Sequence, residues 1–383
     1  MALHFSRDEF DARRALVQKG MEEAGLDALL LFAQESMYWL TGFDSFGFCF
    51  FQCLVMKADG TMVLVTRSAD LLQARHTSII EDIRVRSDRR GANPIKVLKE
   101  VLDELELLGA TLGVEYDTHG LTAHDGRLLD DGLKSFATLK DASRLITELR
   151  MIKSPAEILH VREAARLADD AFEAGLEEIR AGADEGRILA AMTGAVFTGG
   201  GDYSGNEFII GSGPDALLCR SKSGRRTLSE NDQLTLEFAG VWRRYHAALM
   251  RTVIIGKPTP RHLELYDAAR AALADVEEVM RPGHNFGDVF EAHARAFDTR
   301  GLQAFRLKAC GYSLGARFAP SWMDPPMFRR DNPIEIVPNM VLFAHMILAD
   351  DESGTAMTLG RTYLTGAEAP EPLSRLPLDL AVR

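Results

Sequence analysis

The sequence predicts two domains: an α/β domain over residues 1–147, then an α+β domain over residues 148–383 in which helices cover a curved antiparallel sheet. The first prediction rests on apolar, strand-like runs that alternate with helical patterns. The second rests on short apolar strands joined by glycine-rich turns, together with a few long helices. A strong helix start, Ser154-Pro155-Ala156-Glu157, lies just after the boundary, since it combines an N-cap serine, an N1 proline and a capping-box glutamate.

In the N-terminal domain, Ser6 and Glu9 predict a helix start, and the helical stripe that follows ends at Gly25. Further along the chain the pattern predicts a strand at Ala28–Phe32, a loop around Tyr38–Gly42, strand-like runs at Phe48–Met56 and Thr61–Thr66, a helix over Ile95–Leu108 and a strand at Thr111–Tyr116. Strands that alternate with helices in this way indicate an α/β fold.

In the C-terminal domain, apolar residues at helical spacing continue the Ser154 helix to about Ile179. Two more helices are predicted, over about His262–Met280 and Phe286–Thr299. The acidic, proline-containing tail from Glu368 onward is expected to be a loose terminus, with packing on a dimer partner as the alternative.

Composition limits the classes of function. The chain has 383 residues, of which 46% are hydrophobic and 26% charged, and its formal net charge is −12. Because nucleic-acid affinity depends on clustered Lys and Arg, this charge argues against a nucleic-acid partner and favours a small-molecule substrate. No segment approaches the roughly 18 uninterrupted apolar residues of a membrane span, and the charged N-terminus does not resemble a signal peptide. Four cysteines without Cys-x-x-Cys spacing are expected to be reduced thiols in a cytoplasmic protein.

Two neighbouring strands, Asp232–Gly240 and Tyr245–Thr252, carry the most informative residues. In the first strand Glu237 points away from a Leu/Phe face, as the period of two requires. We expect the strands to pair so that Glu237 faces Ala248 and lies diagonal to His246, which places His246 within reach of a ligand that contacts Glu237. The alternative is a solvated glutamate on the sheet and a histidine satisfied at its rim.

The layout and several motifs resemble the creatinase, prolidase and methionine-aminopeptidase (peptidase M24) superfamily, whose catalytic domain has the pita-bread fold. The resemblance covers essentially the whole chain. The motifs that carry it are the connector from Glu148 to Ile158, Gly211-Ser212-Gly213-Pro214-Asp215-Ala216, Arg251-Thr252, Gly311-Tyr312-Ser313-Leu314-Gly315 and Pro338-Asn339-Met340-Val341. By resemblance we expect a creatinase-type N-terminal domain, a pita-bread C-terminal domain and a homodimer.

The metal ligands of the superfamily do not carry over. Family peptidases hold two metal ions with two aspartates, a histidine and two glutamates, and these positions correspond in order to Glu237, Ala248, Tyr312, His345 and Gly360. One carboxylate and one imidazole are too few donors for two hard divalent cations. No metal ion and no other cofactor is therefore expected.

Creatinase is a metal-free member of the superfamily, but its catalytic histidine corresponds to Arg220, and its guanidinium-binding glutamates correspond to Met250 and His345. Creatine is thus not expected as the substrate. The Arg-Tyr-His run that ends at His246 and the Gly-Tyr-Ser run around Tyr312 are most similar to the ectoine-hydrolase-like branch. That branch dispenses with metals and opens a small cyclic amidine at a C–N bond.

The candidate catalytic residues are Glu237 as nucleophile or general base, His246 and His345 in proton transfer, and Tyr312 as a donor to a developing oxyanion. Glu237 and the two histidines each have a structural alternative: Glu237 as the remnant of an inactive metal site, and the histidines as satisfied core residues. The candidate substrate-binding residues are Arg220, Arg251, Ser313 and Trp322. For Arg251 the resemblance favours a structural role in bracing the sheet. For Trp322 the alternative to substrate binding is a structural role as the anchor of its loop.

These observations predict a metal-independent hydrolase of a non-peptide C–N bond in a small nitrogenous solute, such as a cyclic amidine, guanidino compound or amide. Two alternatives from other classes stay open: a catalytically silent pita-bread module that binds peptides or proteins, and an Xaa-Pro peptidase with atypical metal ligands.

Overall fold

The computed structural model of the chain describes residues 3–221 and 225–383. The chain divides into two compact units, one that ends at Arg150 and one that spans Met151–Arg383. The sequence had placed this division between residues 147 and 148.

The N-terminal unit is an α/β fold, as predicted. Its sheet is mixed, with strand order β4-β3-β2-β1-β5-β6; β1 is antiparallel to β2 and parallel to β5. The helices are α1 Arg7–Ala24, α2 Gln34–Thr41, α3 Leu71–Thr77, α4 Pro94–Glu104, α5 Ala123–Leu133 and α6 Leu145–Leu149, and the strands are β1 Ala28–Leu31, β2 Cys53–Lys57, β3 Met62–Thr66, β4 Asp82–Val85, β5 Thr111–Val114 and β6 Thr138–Asp141.

Successive residues of β1 are buried in separate cores on the two faces of the sheet, as the alternation of side chains in a strand requires. Leu30 packs in a core with Leu98 of α4, and Leu29 packs in another core with Met21 of α1. The predicted start of α1 is confirmed, since Ser6 accepts a hydrogen bond from the Glu9 backbone N–H. The loop predicted around Tyr38–Gly42 is wrong: this segment belongs to the buried helix α2, whose mixed polar and apolar residues show no clear helical period.

The C-terminal unit is the predicted α+β fold, with an antiparallel main sheet of order β11-β10-β12-β13-β9-β8-β7; β14 pairs with β13, and β15 pairs in parallel with β9. The helices are α7 Pro155–Glu178, α8 Glu185–Thr198, α9 Pro260–Val279 and α10 Phe286–Asp298, and the strands are β7 Ile209–Ser212, β8 Asp232–Trp242, β9 Tyr245–Ile255, β10 Gly311–Ser313, β11 Asp324–Met327, β12 Val341–Asp350, β13 Thr355–Leu364, β14 Glu371–Pro372 and β15 Ala381–Val382.

Helix α7 begins with the predicted capping box, in which Ser154 and Glu157 each bond to the backbone N–H of the other. It packs closely on β8 at Gly240, where a Cβ would lie 2.0 Å from the carbonyl oxygen of Ala164. Only glycine permits this approach of helix to strand.

The hairpin of β8 and β9 has a different register from the predicted one. Glu237 pairs with Met250 rather than with Ala248. The turn consists of Arg243 and Arg244, both with positive φ (49° and 67°), as in the tight turns that usually contain Asn-Gly. Two arginines give no sequence signal for this turn, and the prediction placed it one residue too early.

The tail after Glu368 is not a loose terminus. Glu371 forms an ion pair with Arg162 of α7, and Arg375 binds Asp169 and Glu173 of the same helix. These contacts and the pairing of β14 and β15 attach the tail to its own unit. None of the helices in the described part of the chain combines the length and the apolar composition of a membrane span.

Candidate active site

The main sheet of the C-terminal unit is strongly curled. Strands β12, β13 and β9 lie between Tyr312 on β10 and Glu237 on β8, which at about 4.8 Å per strand amounts to roughly 19 Å along the sheet. Even so, the Tyr312 hydroxyl donates a hydrogen bond to Glu237 Oε1 at 3.1 Å. The curvature therefore brings the inner faces of distant strands together around one cavity.

This cavity has a volume of about 120 Å³. Side chains with polar groups and purely apolar side chains both line it: Asn206, Cys219, Arg220, Glu237, Tyr312, Trp322 and His345, with Ile209, Leu307, Ala309, Met323, Met327 and Ile347. Five of the predicted site residues, Glu237, Tyr312, His345, Arg220 and Trp322, thus meet here. The volume is below the roughly 300–1,000 Å³ of pockets for drug-sized ligands, and it suits a small solute.

Glu237 is buried, with only 8% of its surface exposed. Burial raises its pKa to about 7, although the hydrogen bond from Tyr312 and the positive charge of Arg220 act in the opposite direction. Among the described residues Tyr312 is the one hydrogen-bond partner of the Glu237 carboxyl group, and this bond uses Oε1 and leaves Oε2 without one. A carboxyl group with this pKa can both accept and release a proton near neutral pH.

Tyr312 positions Glu237. Its hydroxyl accepts a hydrogen bond from Trp322 Nε1 at 2.8 Å and donates its own proton to Glu237. Burial, and next the charge of Glu237, raise the pKa of Tyr312, so the phenol stays protonated. The sequence suggested that Tyr312 donates to a developing oxyanion. Its one hydroxyl proton is instead donated to Glu237, so without a ligand Tyr312 orients the carboxylate.

His345 lies on β12 beside Tyr312, with ring centroids 5.8 Å apart. Burial lowers its pKa to about 4, so the imidazole is neutral at physiological pH. In water a histidine holds its proton to higher pH than a glutamate. In this cavity the order is reversed, and Glu237 holds a proton more strongly than His345 does.

Arg220 and Cys219 line the cavity next to each other, and Arg220 is an exposed residue. The positive charge of Arg220 lowers the pKa values of Glu237 and His345, although burial has the larger effect on both. Burial and the charge of Glu237 raise the pKa of the Cys219 thiol, so it is not an activated nucleophile. An exposed guanidinium beside the cavity can bind a substrate carboxylate in bidentate fashion.

The residues of the cavity do not fit a pair of metal ions. Among the described residues, no three His, Cys, Asp or Glu side chains are grouped so that they could hold one. Gly360, which the resemblance aligns with the last family glutamate, pairs with both Met250 and His345. A Cβ there would lie 2.9 Å from the Ala344 carbonyl oxygen and 3.1 Å from His345 Cβ. Because even a methyl group is crowded, this position cannot take a ligating side chain without local rearrangement.

Three predicted site residues lie elsewhere. His246 pairs with Val241 near the end of the hairpin and accepts a hydrogen bond from the Gly205 N–H, so the predicted proximity to Glu237 is wrong. Arg251 points to the outer face of the sheet, where it donates to the Gly360 carbonyl and lies 6.0 Å from the Phe172 ring. It braces the sheet. Ser313 follows Tyr312 and therefore points to the face away from the cavity.

Sequence reasoning did not assign two polar residues to the cavity, Asn206 and Cys219. Cys219 directly precedes Arg220, and this adjacency was an available signal. Asn206 lies in a segment without regular structure, where its Oδ1 accepts from the Trp322 backbone N–H at 3.2 Å. No local pattern indicates such a contact. The four cysteines are free thiols, as expected.

Comparison with known proteins gives matches over nearly the whole chain. Residues 160–365 match the Metallopeptidase family M24, and residues 13–152 match the Creatinase/Prolidase N-terminal domain. The chain is 27% identical over 402 residues to the ectoine hydrolase of Halomonas elongata, a match that covers 100% of this chain and 99% of the relative.

Prolidase-type proteins are also similar. The Xaa-Pro dipeptidase of Pyrococcus horikoshii is 22% identical over 270 residues, which cover 69% of this chain and 70% of the relative. The solved structure of the Xaa-Pro dipeptidase from Bacillus anthracis superimposes with a TM-score of 0.85 at 19% identity, and the match covers 98% of this chain and 100% of that one. At this level of identity the structural match shows the fold alone.

Proposed function

The chain belongs to metallopeptidase family M24, and from this premise we propose that it is a hydrolase that opens a non-peptide C–N bond in a small nitrogenous solute by means of side chains alone. The observation that carries the proposal is the chemistry of the cavity: it holds a buried carboxyl group with a pKa of about 7, and no three His, Cys, Asp or Glu side chains among the described residues are grouped so that they could hold a metal ion. The similarity to an ectoine hydrolase supports a cyclic amidine as the substrate class.

In the proposed reaction Glu237 acts as the general base. Its Oε2 accepts a proton from a water molecule as the water oxygen attacks the amidine or amide carbon, while Tyr312 holds Oε1. The tetrahedral carbon then collapses, the C–N bond breaks, and the proton on Glu237 passes to the departing nitrogen. The sum of these steps is the addition of one water across the C–N bond.

The proton goes to the leaving nitrogen from Glu237 rather than from a histidine. With a pKa of about 4, His345 is deprotonated near pH 7 and serves as a neutral hydrogen-bonding group for the substrate or the water. Arg220 binds a carboxylate of the substrate at the edge of the cavity.

The proposal is tested by thermal-shift and hydrolysis assays against cyclic amidines such as ectoines, guanidino acids, lactams and Xaa-Pro dipeptides, each with and without Mn²⁺. A ligand at about a hundred times its dissociation constant stabilises the fold by roughly 2.7 kcal/mol, which such an assay detects. We expect a cyclic amidine or amide to bind and to be hydrolysed without added metal. Metal-dependent cleavage of Xaa-Pro dipeptides would instead establish a peptidase with atypical ligands.

The Glu237→Gln variant separates an enzyme from a silent binding module. It should bind the same ligand but not hydrolyse it. A ligand that the wild type binds and leaves intact would support the binding module. If the carboxylate attacks the carbon directly and water then attacks the Glu237 carboxyl carbon, a single turnover in H₂¹⁸O leaves the label in Glu237 and an unlabelled oxygen in the product. If Glu237 acts as the base, the same single turnover puts the label into the product, which distinguishes nucleophile from base.

We also propose, from the family resemblance, that the protein is a cytoplasmic homodimer. Light scattering after size-exclusion chromatography measures the mass of the assembly directly, and a mass of one chain would refute the dimer.

A further inference from the structure

His246 contacts the segment of residues 204–206, which borders two cavities and is called here the separating segment. Asn206 of this segment lines both the active-site cavity and a groove of about 640 Å³ that residues of α8 and residues 202–208 also line. His246 is fully buried, and its Nε2 accepts a hydrogen bond from the Gly205 backbone N–H at 2.9 Å. Its own backbone N–H donates to the Gly315 carbonyl. The residue thus ties the end of the hairpin to the separating segment.

The separating segment packs directly on the chain around Trp322. A Cβ on Gly205 would lie 2.8 Å from the backbone of Ser321 and Trp322, so only glycine allows this contact. The next residue, Asn206, accepts a hydrogen bond from the Trp322 backbone N–H at 3.2 Å. The position of Trp322 therefore depends on the position of residues 205 and 206.

Trp322 in turn holds the catalytic carboxylate through one intermediary. Its indole Nε1 donates to the Tyr312 hydroxyl at 2.8 Å, and Tyr312 donates to Glu237 Oε1 at 3.1 Å. Trp322 and Tyr312 are almost completely buried, so neither can exchange its partner for water without repacking. The contacts form a continuous path from His246 to Glu237.

We propose that His246 is a positioning residue that orients Glu237 through Gly205, Asn206, Trp322 and Tyr312. Its effect on turnover rests on the proposed function, but its effect on the orientation of Trp322 and Glu237 does not. The position needs a hydrogen-bond acceptor rather than a titrating group. Burial lowers the pKa of His246 to about 3, so the ring is neutral at physiological pH and Nε2 accepts.

The test uses ¹⁵N-tryptophan-labelled full-length protein, since the chain has only three tryptophans, Trp39, Trp242 and Trp322. The Trp322→Phe variant assigns the Trp322 indole N–H signal. In the wild type this signal should titrate with a midpoint near 7 as Glu237 changes charge, and the titration should vanish in Glu237→Gln. In His246→Leu the signal should move and its midpoint should rise, because a loosened Tyr312 stabilises the carboxylate less.

The His246→Gln variant restores an acceptor and should return the Trp322 signal and midpoint towards wild-type values. The Trp39 signal, from the N-terminal unit, should not change in any of these variants. If His246→Leu does not fold, Asn206→Leu breaks the same path one step later and should give the same response. A Trp322 signal and midpoint unchanged in the leucine variants, with only a lower melting temperature, would overturn the proposal.

An activity measurement extends the test. Loss of positioning by about 1 Å can reduce turnover roughly a hundredfold, so kcat of His246→Leu should fall ten- to a hundredfold, and His246→Gln should recover most of the loss. If the protein hydrolyses none of the compounds offered, the proposed function fails while the tryptophan signals still decide the positioning role.

Discussion

Each unit of the protein buries a glutamate whose pKa is raised to about 7 by burial, Glu115 in the N-terminal unit and Glu237 in the C-terminal unit. The two carboxyl groups differ in their partners. Glu115 accepts hydrogen bonds from the backbone N–H groups of Phe32 and Ala33 and from the Ser36 hydroxyl, at the start of α2. Among the described residues Glu237 has Tyr312 as its only donor, and its other oxygen is available to the cavity.

The difference shows that a perturbed pKa does not by itself identify an active site. Burial produces the same shift in both places. Glu115 uses its oxygens to bind the N-terminus of a helix and has none left for a ligand, whereas Glu237 has an oxygen, a cavity and a neighbouring guanidinium. We therefore assign a structural role to Glu115 and a catalytic role to Glu237.

The largest expected effect is on activity. Glu237→Gln should reduce kcat/KM by about a thousandfold, because general acid–base catalysis contributes roughly 10²–10⁴ in rate. Glu115→Gln, the matched change in the other unit, should leave kcat/KM nearly unchanged. Steady-state kinetics with circular dichroism as a control for folding measures both. Equal losses in the two folded variants would remove the distinction between the carboxylates.

The second expected effect is on the pH dependence of stability. Native Glu237 keeps its proton up to about pH 7, whereas the unfolded chain releases it near 4.5, so the wild type loses free energy of unfolding as pH rises through this interval. The difference between the native and unfolded pKa values of Glu237 corresponds to a change of about 3 kcal/mol in the free energy of unfolding. Relative to the wild type, Glu237→Gln should therefore gain stability between pH 5 and pH 8 in urea unfolding. A constant difference across this range would show that Glu237 has an ordinary pKa.

The third effect concerns the structural carboxylate. In Glu115→Gln an NH₂ group replaces one carboxylate oxygen. This donor then faces the backbone N–H groups or the Ser36 hydroxyl that donate to Glu115 in the wild type. A buried donor without a partner costs about 1–3 kcal/mol, so the free energy of unfolding should fall by this amount at pH 7. Chemical denaturation of the purified variant measures it, and an unchanged midpoint would show that the cap on α2 contributes little.

The smallest effect is the displacement of the pH–rate profile along the pH axis, which accompanies the loss of kcat expected when Glu237 is no longer positioned by Tyr312. The hydrogen bond from Tyr312 lowers the pKa of Glu237, so Tyr312→Phe should raise it and move the ascending limb of kcat/KM to higher pH. Tyr363, another buried tyrosine, donates to Glu277 outside the cavity, and Tyr363→Phe serves as the matched control. The profile of the control should not move, and a shift of equal size in both variants would point to a general loss of packing.

The sequence predicted much of the fold because local signals determine it. The capping box of Ser154 and Glu157 determines the start of α7. The alternation of apolar and polar residues predicted the two strands of the hairpin, β8 and β9. The register of that hairpin depends on a turn of two arginines with positive φ, for which ordinary turn statistics give no indication.

Only part of the candidate site was predicted, because its other residues depend on strand register and on the curvature of the sheet. Glu237, Tyr312 and His345 could be placed on inner strand faces by alternation or by resemblance. The assignment of His246 followed the wrong register, and that of Ser313 ignored the change of face from one residue to the next. The approach of β10 to β8 depends on the curvature of the whole sheet, which no local pattern encodes.

The central claim is that Glu237 performs the chemistry without metal ions. The most direct test is the rate of C–N hydrolysis by wild-type protein stripped with a chelator, with its metal content measured by mass spectrometry, beside Glu237→Gln prepared in the same way. We predict full turnover by wild-type protein that holds far less than one ion per chain, and loss of turnover in the variant. Activity that vanishes on stripping and returns in proportion to bound Mn²⁺, Co²⁺ or Zn²⁺ would contradict the claim.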